Sequence, residues 1–168
     1  MKRDEEFSTY ASKRWPALVR AAVLLGCTMP DAEDLAQTAL MRCYVSWLKV
    51  TKADDRDAYV YRILVNSHRD SRRRRWWGEI PASAVPERAE ADATTRVDAA
   101  DAVSRALAGL SRANREVVVL RYYAQLSDQQ IAEALHIARG TVKSRLSRAL
   151  AQLSADANMS DLRGGSHV

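Results

Sequence analysis

The sequence predicts an all-α protein built from two small helical domains joined by a flexible, acidic linker. Composition is the first observation behind this. Of 168 residues, 47% are hydrophobic and 28% charged, which suits a folded chain better than a disordered one. Glycine and proline are sparse, at six and four, while alanine, leucine and arginine, all good helix formers, abound. The second observation is period: apolar residues recur three and four apart over most of the chain, as one face of a helix requires. The third is segregated charge. Met1–Trp77 holds 15 basic and 10 acidic residues, Gly78–Ser104 holds 2 and 6, and Arg105–Val168 holds 9 and 5. Two basic blocks around an acidic one suggest two folded units with a polyanion as partner. The units are placed at 1–77 and 97–155, with the linker at 78–96 and a flexible tail at 156–168.

In the first unit, Phe7, Tyr10, Ala11, Trp15, Leu18, Val19, Ala22 and Val23 mark a helix, which Pro16 is expected to break or start. A loop at Gly26–Pro30 precedes a second helix, Pro30–Leu48, whose early Asp31, Glu33 and Asp34 suit the positive end of the helix dipole. Its apolar positions are Leu35, Ala39, Tyr44, Trp47 and Leu48. A polar loop at Thr51–Arg56 leads to a third helix, Asp57–Arg75, with Tyr59, Val60, Ile63, Leu64 and Ser67 inward. Gly78 to about Thr95 has two prolines and no sustained apolar period, as a linker would. In the second unit, Val97–Leu110 forms a helix and Ser111 caps another at Arg112–Tyr123. Ser127-Asp128-Gln129-Gln130 is a capping-box sequence that opens a short helix through Leu135. After a break at His136–Ala138, a longer helix runs to Leu153 with Val142, Leu146, Ala149, Leu150 and Leu153 inward.

The segment Leu126–Leu153 therefore reads as a helix-turn-helix, whose second helix enters the major groove of DNA. On the helical wheel Ser144 and Arg148 lie opposite the inner face. Gly140, Thr141 and Ser147 sit beside them, and Lys143 and Arg145 flank. Small hydroxylic and basic residues on one face suit close approach to base edges and phosphates. A second candidate is the polar stripe Arg62, Asn66, Arg69 and Arg73 on the third helix, followed by the arginine run Arg72–Arg75. Arginine grips phosphate and asparagine can read a base edge. Trp76 and Trp77 are available to stack on unpaired bases, whereas Trp47 and Tyr59 read better as core aromatics.

Other classes find little support. No glycine-rich phosphate loop, metalloprotease helix or nucleophile elbow is present, so no enzymatic activity is expected. Cys27 and Cys43 sit in apolar helical surroundings and read as free thiols, and neither a metal nor a cofactor is expected. Asp54, Asp55 and Asp57 read as loop and cap. Charges interrupt the N-terminus too early for a leader peptide, and the longest apolar stretch, Ala21–Cys27, is far below the ~20 residues of a membrane span. No membrane insertion and a cytoplasmic location follow as expectations. Two rivals stay open on these residues alone: a stand-alone helix-turn-helix regulator, and a nuclease targeted by the same motif.

The stretches Leu110–Tyr123 (LSRANREVVVLRYY), Leu126–Leu135 (LSDQQIAEAL) and Gly140–Ala149 (GTVKSRLSRA) resemble region 4 of sigma-70 factors, most closely the extracytoplasmic-function (ECF) group. Asp31–Gln37 (DAEDLAQ) resembles region 2.2 of that group. Tyr61–Asn66 (YRILVN), with the arginines after it, resembles regions 2.3 and 2.4. The overall look is that of the SigE-like branch found in actinobacteria. The resemblance implies a sigma factor that directs promoter-specific initiation with RNA polymerase core and promoter DNA as partners. It further implies a cytoplasmic location, with association with the nucleoid when active. Core contacts would be to the beta-prime clamp helices, through Asp31, Asp34, Leu35 and Gln37, and to the beta flap. The −10 element would be melted and read by Arg62, Asn66, Arg69, Asp70 and Arg73, with the Val50–Asp57 loop holding a flipped base. The −35 element would be read by Arg139, Thr141, Lys143, Ser144, Arg145, Ser147 and Arg148. The acidic linker matches the segment that threads towards the RNA exit channel, and an anti-sigma factor is a further implied partner. The chain departs from the pattern at Gln37-Thr38-Ala39, where an acidic residue often follows the glutamine. His136 stands where the turn usually has glycine, and Ala138 where a serine usually caps the recognition helix.

Overall fold

The computed structural model describes the backbone of residues 1–78 and 98–164 and the side chains of 1–78 and 102–157. The linker expected at 78–96 falls outside the described residues except for Gly78. Eight α-helices are described: α1 (Lys2–Leu24), α2 (Met29–Val45), α3 (Trp47–Lys52), α4 (Arg56–Trp76), α5 (Asp98–Ala108), α6 (Arg112–Val118), α7 (Asp128–Leu135) and α8 (Arg139–Gly164).

α1 runs unbroken through Pro16, contrary to the expected break. Proline in a helix interior removes one hydrogen bond and costs about 3 kcal/mol. Burial of Leu18, Val19, Ala21, Ala22 and Leu24 immediately downstream offsets that cost, at roughly 1.5–3 kcal/mol for each large aliphatic side chain. α2 starts as expected. Thr28 accepts from the Asp31 amide and Pro30 stands in the first turn, where its missing N–H costs nothing. α2 ends at Val45, three residues earlier than expected. The chain turns at Ser46 (φ −99°, ψ 21°), which carries Trp47 and Val50 into the core. Trp47 meets Phe7 edge-on, with ring centroids 5.3 Å apart, and Tyr10 at 5.4 Å. Tyr44 and Leu48, expected inward, are exposed. Asp55 caps α4 through the Ala58 amide at 2.9 Å. Asp57 accepts from the Tyr10 hydroxyl at 2.7 Å and pairs with Arg14, fastening α4 to α1.

In the C-terminal half, Ser111 caps α6 through the Asn114 amide at 3.2 Å. The helix expected to reach Tyr123 widens into a π-helical turn over Val119–Tyr123. The capping box before α7 is complete: Ser127 Oγ accepts from the Gln130 amide at 3.1 Å, and Gln130 Oε1 accepts from the Ser127 amide at 2.8 Å. α7 ends on His136 in the left-handed conformation (φ 55°, ψ 45°), a position glycine would occupy without strain. At Ala138, which lacks a capping side chain, the backbone carbonyl still accepts from the Thr141 and Val142 amides. α8 buries Val142 and Ala149 and half-buries Leu146 and Leu153. Leu150, expected inward, is exposed. The helix continues to Gly164, beyond the expected fraying point.

The two halves do not stand apart. Buried residues of both form one continuous apolar core, with α4 against α7 and α1 against the π-helical turn. Polar ties cross the seam. Arg69 donates from Nε (3.1 Å) and Nη2 (2.7 Å) to Glu116, and from Nη1 to the Leu135 carbonyl (3.1 Å). Arg115 donates to the Leu24 carbonyl at 2.5 Å, and the Tyr123 hydroxyl to the Ala17 carbonyl at 3.3 Å. Gln130 reaches Asp55 at 3.1 Å. Gly26 (φ 112°) lies beneath Arg115, where an added Cβ would sit 3.1 Å from the guanidinium.

Candidate polymerase and nucleic-acid interfaces

α7, the turn at His136–Ala138 and α8 form the helix-turn-helix. Burial of Val142 and Ala149 fixes the roll of α8 and leaves Arg139, Lys143, Ser147 and Arg148 exposed in a basic row. Thr141, Ser144 and Arg145 are half-buried. The Ser144 hydroxyl, expected outward, donates back to the Thr141 carbonyl at 3.1 Å. Arg145 turns from the row towards α4 and lines a cleft with Arg72 and Arg73.

On α4, Arg62 and Arg73 are exposed and Asn66 is half-buried. Arg69 lies on the same stripe, but its guanidinium is spent on Glu116 and Leu135. Asp70 accepts from Arg42 of α2 at 2.9 Å, and Arg42 also donates to Ser67 at 3.0 Å. At the end of α4, Trp76 and Trp77 are exposed, whereas Trp47 is buried. Val50 is buried within α3, so only Ala53–Asp55 of the Val50–Asp57 segment stands free as a loop.

The residues predicted on α2 separate into three environments. Asp34 and Gln37 are exposed. Asp31 is half-buried and faces Arg75 at 3.3 Å. Leu35 is only 7% exposed and belongs to the core. Sequence reasoning missed the apolar continuation of this face. Met41, Tyr44 and Val45 are exposed, Val45 to 80%, with Leu48 beyond them. Gln37, Met41 and Val45 follow one another at intervals of four, which places them on one stripe. That spacing was the available signal, masked because Tyr44 and Leu48 had been placed inward. Met41, Tyr44 and Val45 border a groove of about 830 Å³ between α1 and α2, floored by Phe7, Ala11 and Trp15.

Burial sets the chemistry of the remaining titratable groups. Burial first, then Arg72, Arg112, Arg115 and Arg75, lower the His68 pKa to about 4, so the imidazole is neutral at pH 7. Cys27 and Cys43 are free thiols, raised by burial to about 11 and about 12. Neither is a nucleophile at neutral pH. Among the described residues, no group of three or more His, Cys, Asp or Glu could hold a metal ion, and no helix is long and apolar enough to cross a membrane.

Comparison with known proteins finds two matching family models and several relatives. The family model described as Sigma-70 region 2 matches residues 12–78, and that described as Sigma-70, region 4 matches residues 100–153. The chain is 38% identical over 157 residues to the RNA polymerase sigma-E factor of Streptomyces coelicolor, covering 94% of this chain and 89% of that protein. It is 30% identical over 152 residues to the ECF RNA polymerase sigma factor SigL of Mycobacterium tuberculosis, covering 88% and 84%. Among solved structures, the sigma factor RpoE in complex with the anti-sigma factor NepR from Bartonella quintana superposes with a TM-score of 0.69 at 27% identity, covering 90% and 96%. CnrH in complex with the cytosolic domain of CnrY gives 0.64 at 25%, covering 93% and 90%.

Proposed function

The chain belongs to the ECF group of the sigma-70 family and is an RNA polymerase sigma factor for transcription initiation, and from that premise we propose how its surfaces divide the work. The exposed face of α2 docks on the polymerase core. Asp34 and Gln37 supply polar contacts, and Met41 and Val45 the apolar area. Leu35 acts from inside by holding α2 in place. α4 serves the −10 element through Arg62, Asn66, Arg69 and Arg73. The Ala53–Asp55 loop lies beside it and Trp76 and Trp77 are free to stack on unpaired bases. The exposed row on α8 reads the −35 element. Arg139 and Lys143 hold phosphates, and Ser147 and Arg148 face the groove. The factor supplies binding energy and no bond chemistry of its own, and it works in the cytoplasm at the nucleoid. An anti-sigma factor is its natural antagonist, in keeping with the complexes of the two structural neighbours.

The observation that carries this reading is the coexistence of two separate exposed faces: an apolar one on α2 and a basic one on α8. The closed packing cannot be the promoter-bound form. Elements centred at −35 and −10 are about 25 base pairs apart, on the order of 85 Å at 3.4 Å per pair, whereas the α4 and α8 surfaces line one cleft. The halves therefore separate when the factor engages a promoter, which releases Arg69 for DNA. The test is run-off transcription from a genomic fragment library with purified core polymerase. Discrete starts that require both the factor and core, together with weak binding of the factor alone to the same duplexes, are the expected result. Tight promoter binding without polymerase would overturn it.

A further inference from the structure

The closed arrangement encloses a cleft of about 1350 Å³ between α2, α4 and α6. Its acidic lining is mostly neutralised: Asp31 faces Arg75, Asp70 faces Arg42, and Glu116 faces Arg69. Arg72 of α4 and Arg112 of α6 also line it, and among the described residues neither has a carboxylate within ion-pair distance. Arg145 enters the same cleft from α8. His68, 6% exposed, lies in the wall, and its Nδ1 has no hydrogen-bond partner. A buried polar atom without a partner is a costly arrangement, and so is a half-buried guanidinium such as that of Arg72 with no carboxylate paired to it. Burial and then the facing Arg112 hold Arg72 below the ordinary arginine range, an effect that nearby Glu116 only partly offsets.

We propose that this cleft is a binding site for a small phosphate-chain anion, held between Arg72 and Arg112 with Arg145 and His68 beside it. Guanidinium forks match phosphoryl oxygens in geometry and charge. The cleft is far larger than one phosphate and its guanidinium groups come from three helices, so the fitting ligand carries two or more linked phosphoryl groups. Because Arg72 and Arg112 belong to different halves, the site exists only while the halves are closed. A bound anion would therefore favour the closed form.

Isothermal titration of the full chain with sodium pyrophosphate at constant ionic strength tests this. One site per chain is expected. Arg72→Ala and Arg112→Ala should each weaken it about tenfold or more, as loss of a charge-assisted contact does, and Lys49→Ala, away from the cleft, should not. The His68 ring resonances should move during the titration. Arg112 is exposed, so Arg112→Ala and Arg112→Glu carry the test if Arg72→Ala fails to fold by circular dichroism. Absence of binding, binding indifferent to Arg112, or binding of a single-stranded oligonucleotide but not pyrophosphate would each overturn the proposal.

Discussion

Arg69→Ala isolates what holds the two halves together. Glu116 is 2% exposed, and one of its oxygens accepts both guanidinium bonds from Arg69, at 2.7 and 3.1 Å. Removing Arg69 strands a buried carboxylate and also leaves the Leu135 carbonyl without that donor. Breaking a fully buried pair costs about 3–5 kcal/mol. The Arg69 side chain is 28% exposed, so solvent screening reduces this to roughly 2–3 kcal/mol. The penalty disappears once α6 leaves α4 and Glu116 meets water. It therefore falls on the closed arrangement, shifting the closed-to-open ratio by about 30- to 150-fold. Small-angle scattering should show an increased radius of gyration for the variant. Amide exchange should quicken at the facing surfaces of α4 and α7 while α1 and α2 keep their protection. In a Glu116→Gln background, where no charge is stranded, Arg69→Ala should cost less by at least about 1 kcal/mol. Equal costs in both backgrounds, or an unchanged radius with one cooperative and merely destabilised unfolding transition, would refute the reasoning.

Arg148→Ala should relax preference at one or two adjacent −35 positions and cost about 1–3 kcal/mol in promoter affinity if it contacts a base. A uniform loss across a randomised −35 library, with a salt slope flatter by about one, would assign it to a phosphate instead. Met41→Asp places a charge on the exposed α2 stripe and should weaken core polymerase in a titrated pull-down without lowering the melting temperature; unchanged affinity would remove this face from the core interface. His68 gives a pH signature. The unfolded chain takes up its proton below about 6.5 and the folded chain only near 4, so stability is lost as pH falls between those values. The loss reaches about 3 kcal/mol at the acid end. Urea denaturation from pH 7.5 to 4.5 should show a shallower acid loss in His68→Asn than in wild type, and identical slopes would mean that His68 is not buried neutral.

The parts of the fold that were legible are those encoded locally. The Ser127–Gln130 capping box spans four residues, and the helix-turn-helix follows from it and from the period of Val142, Leu146 and Ala149. At His136 the only signal was the resemblance, which has glycine in that turn and so suits the left-handed conformation found there. The parts that were not legible depend on distant partners. Ser46 turns because Trp47 packs on Phe7, forty residues earlier in the chain. Helical period alone kept α2 straight and so placed Tyr44 and Leu48 inward. Pro16 looked like a break because its local cost is visible and the packing that offsets it is not. Arg69 read as part of a free polar stripe and Asp70, by resemblance, as a promoter-facing residue, because nothing near them in sequence announces Glu116 or Arg42.

That last misreading has a mechanistic consequence. Arg69 lies on the stripe that faces the −10 element in the proposed division of labour, yet it also ties α4 to α6 and α7. One guanidinium cannot satisfy buried Glu116 and a DNA phosphate at once, so closure and promoter engagement exclude each other at this residue. The apparent affinity of the free factor for promoter DNA is then its intrinsic affinity multiplied by the fraction that is open. If core polymerase binds only the open form, it raises that fraction, and an open-favouring variant must bind core more tightly by the same factor as it binds DNA. A sigma factor held closed by a buried ion pair is thus kept from DNA by its own fold. On the proposed division of labour, polymerase then becomes a condition for promoter recognition even though the proposed DNA-reading residues lie on the factor.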